Sequence, residues 1–407
     1  MHHEEAHSHH DGAQLMSSYE IDGALWSRVR NAIAFLLLIG VAASVAGAVT
    51  EPERFYRSYL VGFLHPTSIL LGALFFVMVM HITGSVWSIT VRRFHENLIG
   101  ALPLVAVALV PVVLGIHHLY EWSHAEEVAH DTLLRGKAAW LNPQGFTIRA
   151  FIYVAIWSFF ALRLVHHSTA QDSTRSIDNT RSLKKYAAPG LFLGFISVSL
   201  ASFDWVMSLA PHWYSTMFGV YFYAGGGWAS FATLVLICLA FRSAGMLRRE
   251  INVEHYHDLG KWMFALTVFW TYIAFCQYLL IWYANLPEET IWFRNRFVGG
   301  WAPMSVALLF GHFFIPFLVL LPRASKRNLK LLRAAALWFL AMHYLDLYWM
   351  VMPTFYKDGP SFHWLDLAPL VAVGSLYALG FWMRLKKHAI MAVGDLRLEQ
   401  ALEHHNL

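Results

Sequence analysis

The chain alternates long apolar runs with short polar ones. Ten runs of about 20 residues, the length a helix needs to cross a bilayer's hydrocarbon layer, fall near 30–49, 64–87, 98–117, 147–165, 189–208, 217–241, 262–284, 298–321, 331–352 and 365–383. Backbone groups in lipid must be satisfied within their own segment, so these runs predict helices rather than open strands. The expected fold is all-α: a polytopic membrane protein with about ten transmembrane helices. The polar stretches set off an N-terminal tail (1–29), a membrane domain (30–384) and a C-terminal tail (385–407).

Composition agrees. Hydrophobic residues make up 57% and charged residues 14%, against about a quarter charged in an ordinary soluble domain. The first apolar run follows the polar, His-rich "MHHEEAHSHHDGAQ" and reads as a span rather than a cleaved leader. The irregular histidine spacing in that tail predicts no metal site. Only two cysteines occur, Cys238 and Cys276, with no CxxC and no CxxCH; neither covalent haem nor an iron–sulfur cluster is expected in this chain. His81 and His312, on different helices, form the one pair considered for a shared b-type haem, and it is the weaker reading.

The net charge of +4 excludes little, but its distribution is informative. Of the 30 Lys and Arg, 22 fall on the side that holds both tails and eight on the other. That bias predicts cytoplasmic termini. On the opposite side, segment 118–147 is acidic and long enough for a short interfacial helix, and 353–364 turns on Pro and Gly. Each reads as a cap on the bundle or a contact for a partner protein.

Titratable side chains inside the apolar runs are costly and need a reason. Asp204 sits in "SVSLASFDWVMSLAPHW"; His343 and Asp346 are three apart on one helix and so share a face; His81 and His312 occupy two further runs. Helix direction puts Asp204, His343 and Asp346 toward the outer half and His81 and His312 toward the inner. Such a ladder suits proton movement, since histidines and buried carboxylates titrate near neutrality. Tyr272, Gln277, Tyr344 and Ser305 are candidates to bridge the gaps. The competing reading is that each residue merely cross-links helices. Asp366 reads as interfacial and structural, and "GGG" at 225–227 as close helix packing. The many Trp residues fit an interfacial aromatic belt.

Three stretches, "SFDWVMSLAPHWYSTMFGVYFYAGG" (202–226), "GHFFIPFLVLLPR" (311–323) and "YLDLYWMVMP" (344–353), resemble the NrfD/polysulfide-reductase-like membrane subunits of bacterial respiratory complexes. The likeness runs through the whole membrane domain and is greatest to the second such subunit, the ActF type, of alternative complex III. The resemblance implies two four-helix bundles plus flanking helices in the bacterial inner membrane. It also implies a non-redox subunit, not catalytic alone, of a quinol-oxidising complex that passes electrons to cytochrome c or another acceptor. No cofactor is then expected in this chain; haem c and iron–sulfur clusters belong to partner subunits. The implied partners are an NrfD-like quinol-binding subunit, an iron–sulfur subunit, c-type cytochromes and a terminal oxidase, with no nucleic acid. Carried over, the site comprises Asp204, His312 and Asp346 as a proton path. The alternatives are a quinol site in this chain, near the outer ends of helices 2–5; a secondary transporter; and a structural scaffold.

Overall fold

A computed structural model describes residues 19–406; the His-rich N-terminus lies outside them. Among the described residues, ten helices are long and apolar enough to cross a membrane: α1 (Gly23–Thr50), α2 (Pro52–Thr83), α3 (Arg92–Leu114), α4 (Pro143–Thr174), α5 (Ile177–Leu209), α6 (Phe218–Ser243), α7 (Val253–Ala284), α8 (Gly299–Leu320), α9 (Leu329–Thr354) and α10 (Trp364–Leu385). No strand occurs among the described residues. The apolar runs thus located every span. They misplaced several ends, because hydropathy registers only the lipid-facing part of a helix. Helix α2 begins at Pro52, not near 64: its first turns carry Glu53, Arg54 and Arg57, and Arg54 is buried against Asp366 at 2.6 Å. Helices α4 and α5 likewise continue as polar helix beyond the apolar runs.

Caps fix the boundaries. Asp22 accepts from the backbone N–H of Ala24 and Leu25 at the start of α1. Asn142 does the same for α4, Asn252 for α7 and Asn328 for α9, each satisfying donors that the first turn leaves open.

Helix α2 is the hub, packed on α3, α5, α6, α9 and α10. Its closest neighbour is α6. A Cβ on Gly72 would lie 2.4 Å from the Gly226 carbonyl oxygen, and one on Gly226 would lie 2.6 Å from that of Ser68. The glycine run is indeed a close helix contact, in which missing side chains let two backbones approach. Helix α1 lies mainly along α10, with Gly40 on the Ala372 backbone and Gly47 on Leu365.

The ends of the described chain meet on one face, where Ile390 N–H donates to the Tyr19 carbonyl at 2.9 Å. Segment 386–406 is docked rather than trailing. Asp395 pairs with Arg92 (2.7 Å) and His404 with Asp258 (2.6 Å), and Ile390 and Met391 are buried. On the far face, the acidic loop forms two short helices, Ala125–His130 and Thr132–Lys137, and a further helix covers Pro287–Phe297.

Candidate functional site

Of the titratable residues singled out in the sequence, three converge. His312 on α8, His343 on α9 and Asp346 on α9 each offer an atom within 4.8 Å of the others. All three are at most 1% exposed. Two local features make this possible. Residues Leu309–Phe314 form a π-helical turn within α8, a geometry that re-aims side chains and recurs at functional sites. And Gly225 on α6 leaves space: a Cβ there would sit 3.1 Å from His343 Nδ1 and 3.7 Å from Asp346 Oδ2.

The His312 ring lies flat between two indoles, Trp228 (centroids 3.9 Å) and Trp270 (3.6 Å). The clamp fixes the ring plane but supplies no hydrogen bond. Asp346 Oδ1 accepts from the Tyr221 hydroxyl, and His343 Nε2 meets Ser68 Oγ at 2.8 Å. Four atoms then have no hydrogen-bond partner among the described residues: Asp346 Oδ2, His343 Nδ1 and both ring nitrogens of His312. Buried polar atoms without partners are costly, and their convergence on one spot marks a place for mobile protons or internal water.

Two nitrogens and a carboxylate oxygen also match the composition of a transition-metal site. The surroundings fit one poorly. A ligating imidazole normally donates its other N–H to a carboxylate or carbonyl, and His312 has no such acceptor.

The other candidates lie elsewhere. Asp204 is buried but clamped: Arg149 Nε and Nη2 reach its two oxygens at 2.8 and 2.9 Å, and Trp140 Nε1 and Tyr153 OH each donate at 2.8 Å. Four donors leave no free lone pair facing a path. His81 stands 3.6 Å from Glu96, in a separate network with Arg92, Arg93, Ser168 and Asp395. The expected grouping of His312 with His81 is therefore replaced by one with His343 and Asp346. His81 lies thirteen residues beyond Ser68 on α2, about 20 Å along the axis. It is likewise too remote to share a haem with His312. Tyr344 donates to the Asp366 carbonyl. Asp366 is itself paired with Arg54 and Ser58, a buried structural group at the start of α10.

Tyr272, Gln277 and Ser305 line a cavity of about 750 Å³ between α7, α8 and the Pro287–Phe297 helix. Its wall is aromatic and aliphatic and includes Tyr221 and Trp270. Those two residues touch the buried cluster on their other side. At the rim, Tyr272 and Phe275 are 60% and 56% exposed. Gln277 is buried, and its Oε1 has no hydrogen-bond partner among the described residues. The cavity is thus not near helices 2–5, where a ring-binding site was expected.

Residues that sequence reading missed are instructive. Glu96, taken as loop, is fully buried and accepts from Arg92 (3.1 Å) and Ser168 (2.7 Å). Arg296 is buried near the cavity, and no carboxylate among the described residues pairs with it. It donates to the Trp349, Trp292 and Met350 carbonyls and stacks 3.7 Å from the Trp292 ring. Burial pushes its guanidinium down to about 9, so it stays charged at neutral pH. The spacing "RRFHE" and an arginine amid aromatics were the available signals.

Known family models and curated proteins give no match to this sequence.

Proposed function

We propose that this chain is a non-redox membrane subunit of a quinol-oxidising respiratory complex of the alternative complex III type. In this reading it lies in a bacterial inner membrane with both termini cytoplasmic. His312, His343 and Asp346 carry protons linked to quinol oxidation. The observation that carries the reading is the convergence of four unpartnered titratable atoms in a fully buried pocket. Neighbour relations support it: α2–α3–α4–α5 and α6–α7–α8–α9 each close into a ring of contacts, with α1 and α10 flanking. This is the arrangement the family resemblance implies. The experiment is purification of the native assembly with the wild-type chain and with Asp346→Asn. Co-migrating haem and iron–sulfur subunits, and loss of proton-coupled turnover in an assembled variant, are expected. A cofactor-free oligomer, or unchanged coupling, defeats the proposal.

The cavity supports a second reading, in which this chain binds the quinol ring itself. It opens toward lipid, its walls suit an apolar ring, and Tyr221 bridges it to Asp346. A ring hydroxyl seated there would be one hydroxyl from the carboxylate, within the reach that proton transfer needs. A photoreactive quinone that labels peptides 268–278 and 305–314 would favour this reading; labelling confined to a neighbouring subunit would exclude it.

A further inference from the structure

The hydrogen bonds around Ser68 determine which nitrogen of His343 carries the proton. Ser68 Oγ lies 2.8 Å from the His65 carbonyl oxygen and 2.8 Å from His343 Nε2. A hydroxyl has one proton to give and lone pairs to accept with, whereas a carbonyl only accepts. If the Ser68 proton goes to the His65 carbonyl, a bond that helix geometry favours, then Nε2 must be the donor and Oγ the acceptor. Both contacts are satisfied. In the alternative, Ser68 donates to Nε2, the carbonyl loses its hydroxyl, and His343 carries its proton on Nδ1. That arrangement gives up the hydroxyl's bond to the His65 carbonyl, whereas the Nε2–H tautomer keeps both Ser68 contacts, and a lost buried hydrogen bond makes the alternative the costlier state.

We propose that Ser68 holds neutral His343 as the Nε2–H tautomer and so makes Nδ1 the proton-accepting atom that faces Asp346. This rests on the proton-path reading above and adds the direction of transfer at one step. Nδ1 and Oδ2 are both bare and stand beside one another across the gap that Gly225 leaves. One bridging water, donating to one and accepting from a proton on the other, fits that gap. Transfer breaks the Asp346 O–H bond and forms an Nδ1–H bond through that water, leaving a carboxylate beside an imidazolium. The reverse step restores both neutral groups. Ser68 is a positioning residue: it touches neither Asp346 nor the transferred proton. The other groups that face this pair are His65 on α2 (rings 5.3 Å apart), Tyr221 on α6, Trp270 on α7, whose indole N–H is directed at Asp346, and His312 on α8. His65 is itself oriented, with Nε2 3.1 Å from the Leu340 carbonyl.

The test is nitrogen-15 NMR of the full-length chain in lipid nanodiscs, labelled at histidine. The His343 signals are assigned by their loss in His343→Gln. The expected wild-type pattern is a protonated Nε2 and a bare Nδ1. In Ser68→Ala the acceptor for Nε2–H is gone, and the population shifts to Nδ1–H. A wild-type Nδ1–H pattern overturns the proposal without any variant. So does a folded Ser68→Ala chain with the wild-type pattern. Proton-coupled turnover of the native assembly is measured in parallel and is expected to fall about tenfold in Ser68→Ala, less than the roughly hundredfold or more lost when the proton-transfer group itself is removed. If the tautomer switches and turnover does not, the tautomer assignment stands and the proton-path reading falls.

Discussion

The Arg149 guanidinium holds both carboxylate oxygens of Asp204, at 2.8 and 2.9 Å, while its own flat face lies 4.1 Å from the Trp140 ring. Trp140 in turn donates to the same carboxylate. One acid thus ties the end of α5 to the start of α4 and to the loop before it. Removing one partner of a buried pair leaves an uncompensated charge, at a cost of about 3–5 kcal/mol. Arg149→Ala should therefore lower unfolding stability by about that amount, measured by chemical denaturation in detergent. Asp204→Asn, which leaves unpaired only the Arg149 side chain, 16% exposed to Asp204's 1%, should cost less. Coupled turnover per folded molecule should be unaltered in both. A selective loss of turnover in Asp204→Asn would return this residue to the path.

Asp346 should behave oppositely. Asn keeps the shape and the acceptor for Tyr221 but cannot exchange a proton. Folding stability should stay within about 1 kcal/mol, since an amide is easier to bury than a carboxylate. Coupled turnover should fall about 100-fold or more, as expected when a positioned acid or base is lost. Equal losses of stability and activity would instead identify a packing role.

Two glycines separate site geometry from helix packing. Gly72→Ala places a methyl 2.4 Å from the Gly226 carbonyl oxygen, an unyielding backbone atom, and should destabilise by about 1–3 kcal/mol through overpacking. Gly225→Ala meets the His343 ring at 3.0 Å, which can give way. Its smaller stability loss should accompany a displaced imidazole and reduced turnover. Thermal unfolding read beside turnover distinguishes the two.

The docked C-terminal segment should be acid-sensitive. Burial alone would raise the Asp395 carboxyl, but Arg92 beside it, with the Arg397 backbone N–H, brings it below the ordinary carboxylate range. A carboxylate lowered in the folded state stabilises that state above its unfolded value of about 4 and loses the contribution as pH falls toward the folded value. Limited proteolysis of 386–406 should therefore be slow at pH 6 and accelerate below about pH 4. Arg92→Gln should be protease-sensitive already at pH 6. An Asp395→Asn chain that resists protease at both values would show that the pair does not hold the segment.

How much of this was legible in the sequence depended on range. The ten spans follow from local composition. So does the shared face of His343 and Asp346, which needs only helical periodicity. The partner that neutralises Asp204 lies 55 residues away, at the start of another helix. Nothing local distinguishes a clamped carboxylate from a free one. Glu96 stood where a polar stretch met an apolar run and read as loop; only the fold brings Ser168 and His81 around it. His312 was placed by counting along a regular helix, and α8 is not regular at that point.

That irregularity makes the site depend on a surplus of one residue. A π turn accommodates one more residue than the α-helical turn it replaces, so deleting a single residue between Leu309 and Phe314 would restore an unbroken α-helix. The turns on either side would keep their register, while the side chains inside the turn, His312 among them, would be re-aimed. The span would keep its length, hydropathy and place in the bilayer, yet the imidazole would leave its slot between the two indoles. A one-codon difference could thus divide chains of nearly identical composition into those that assemble the triad and those that do not.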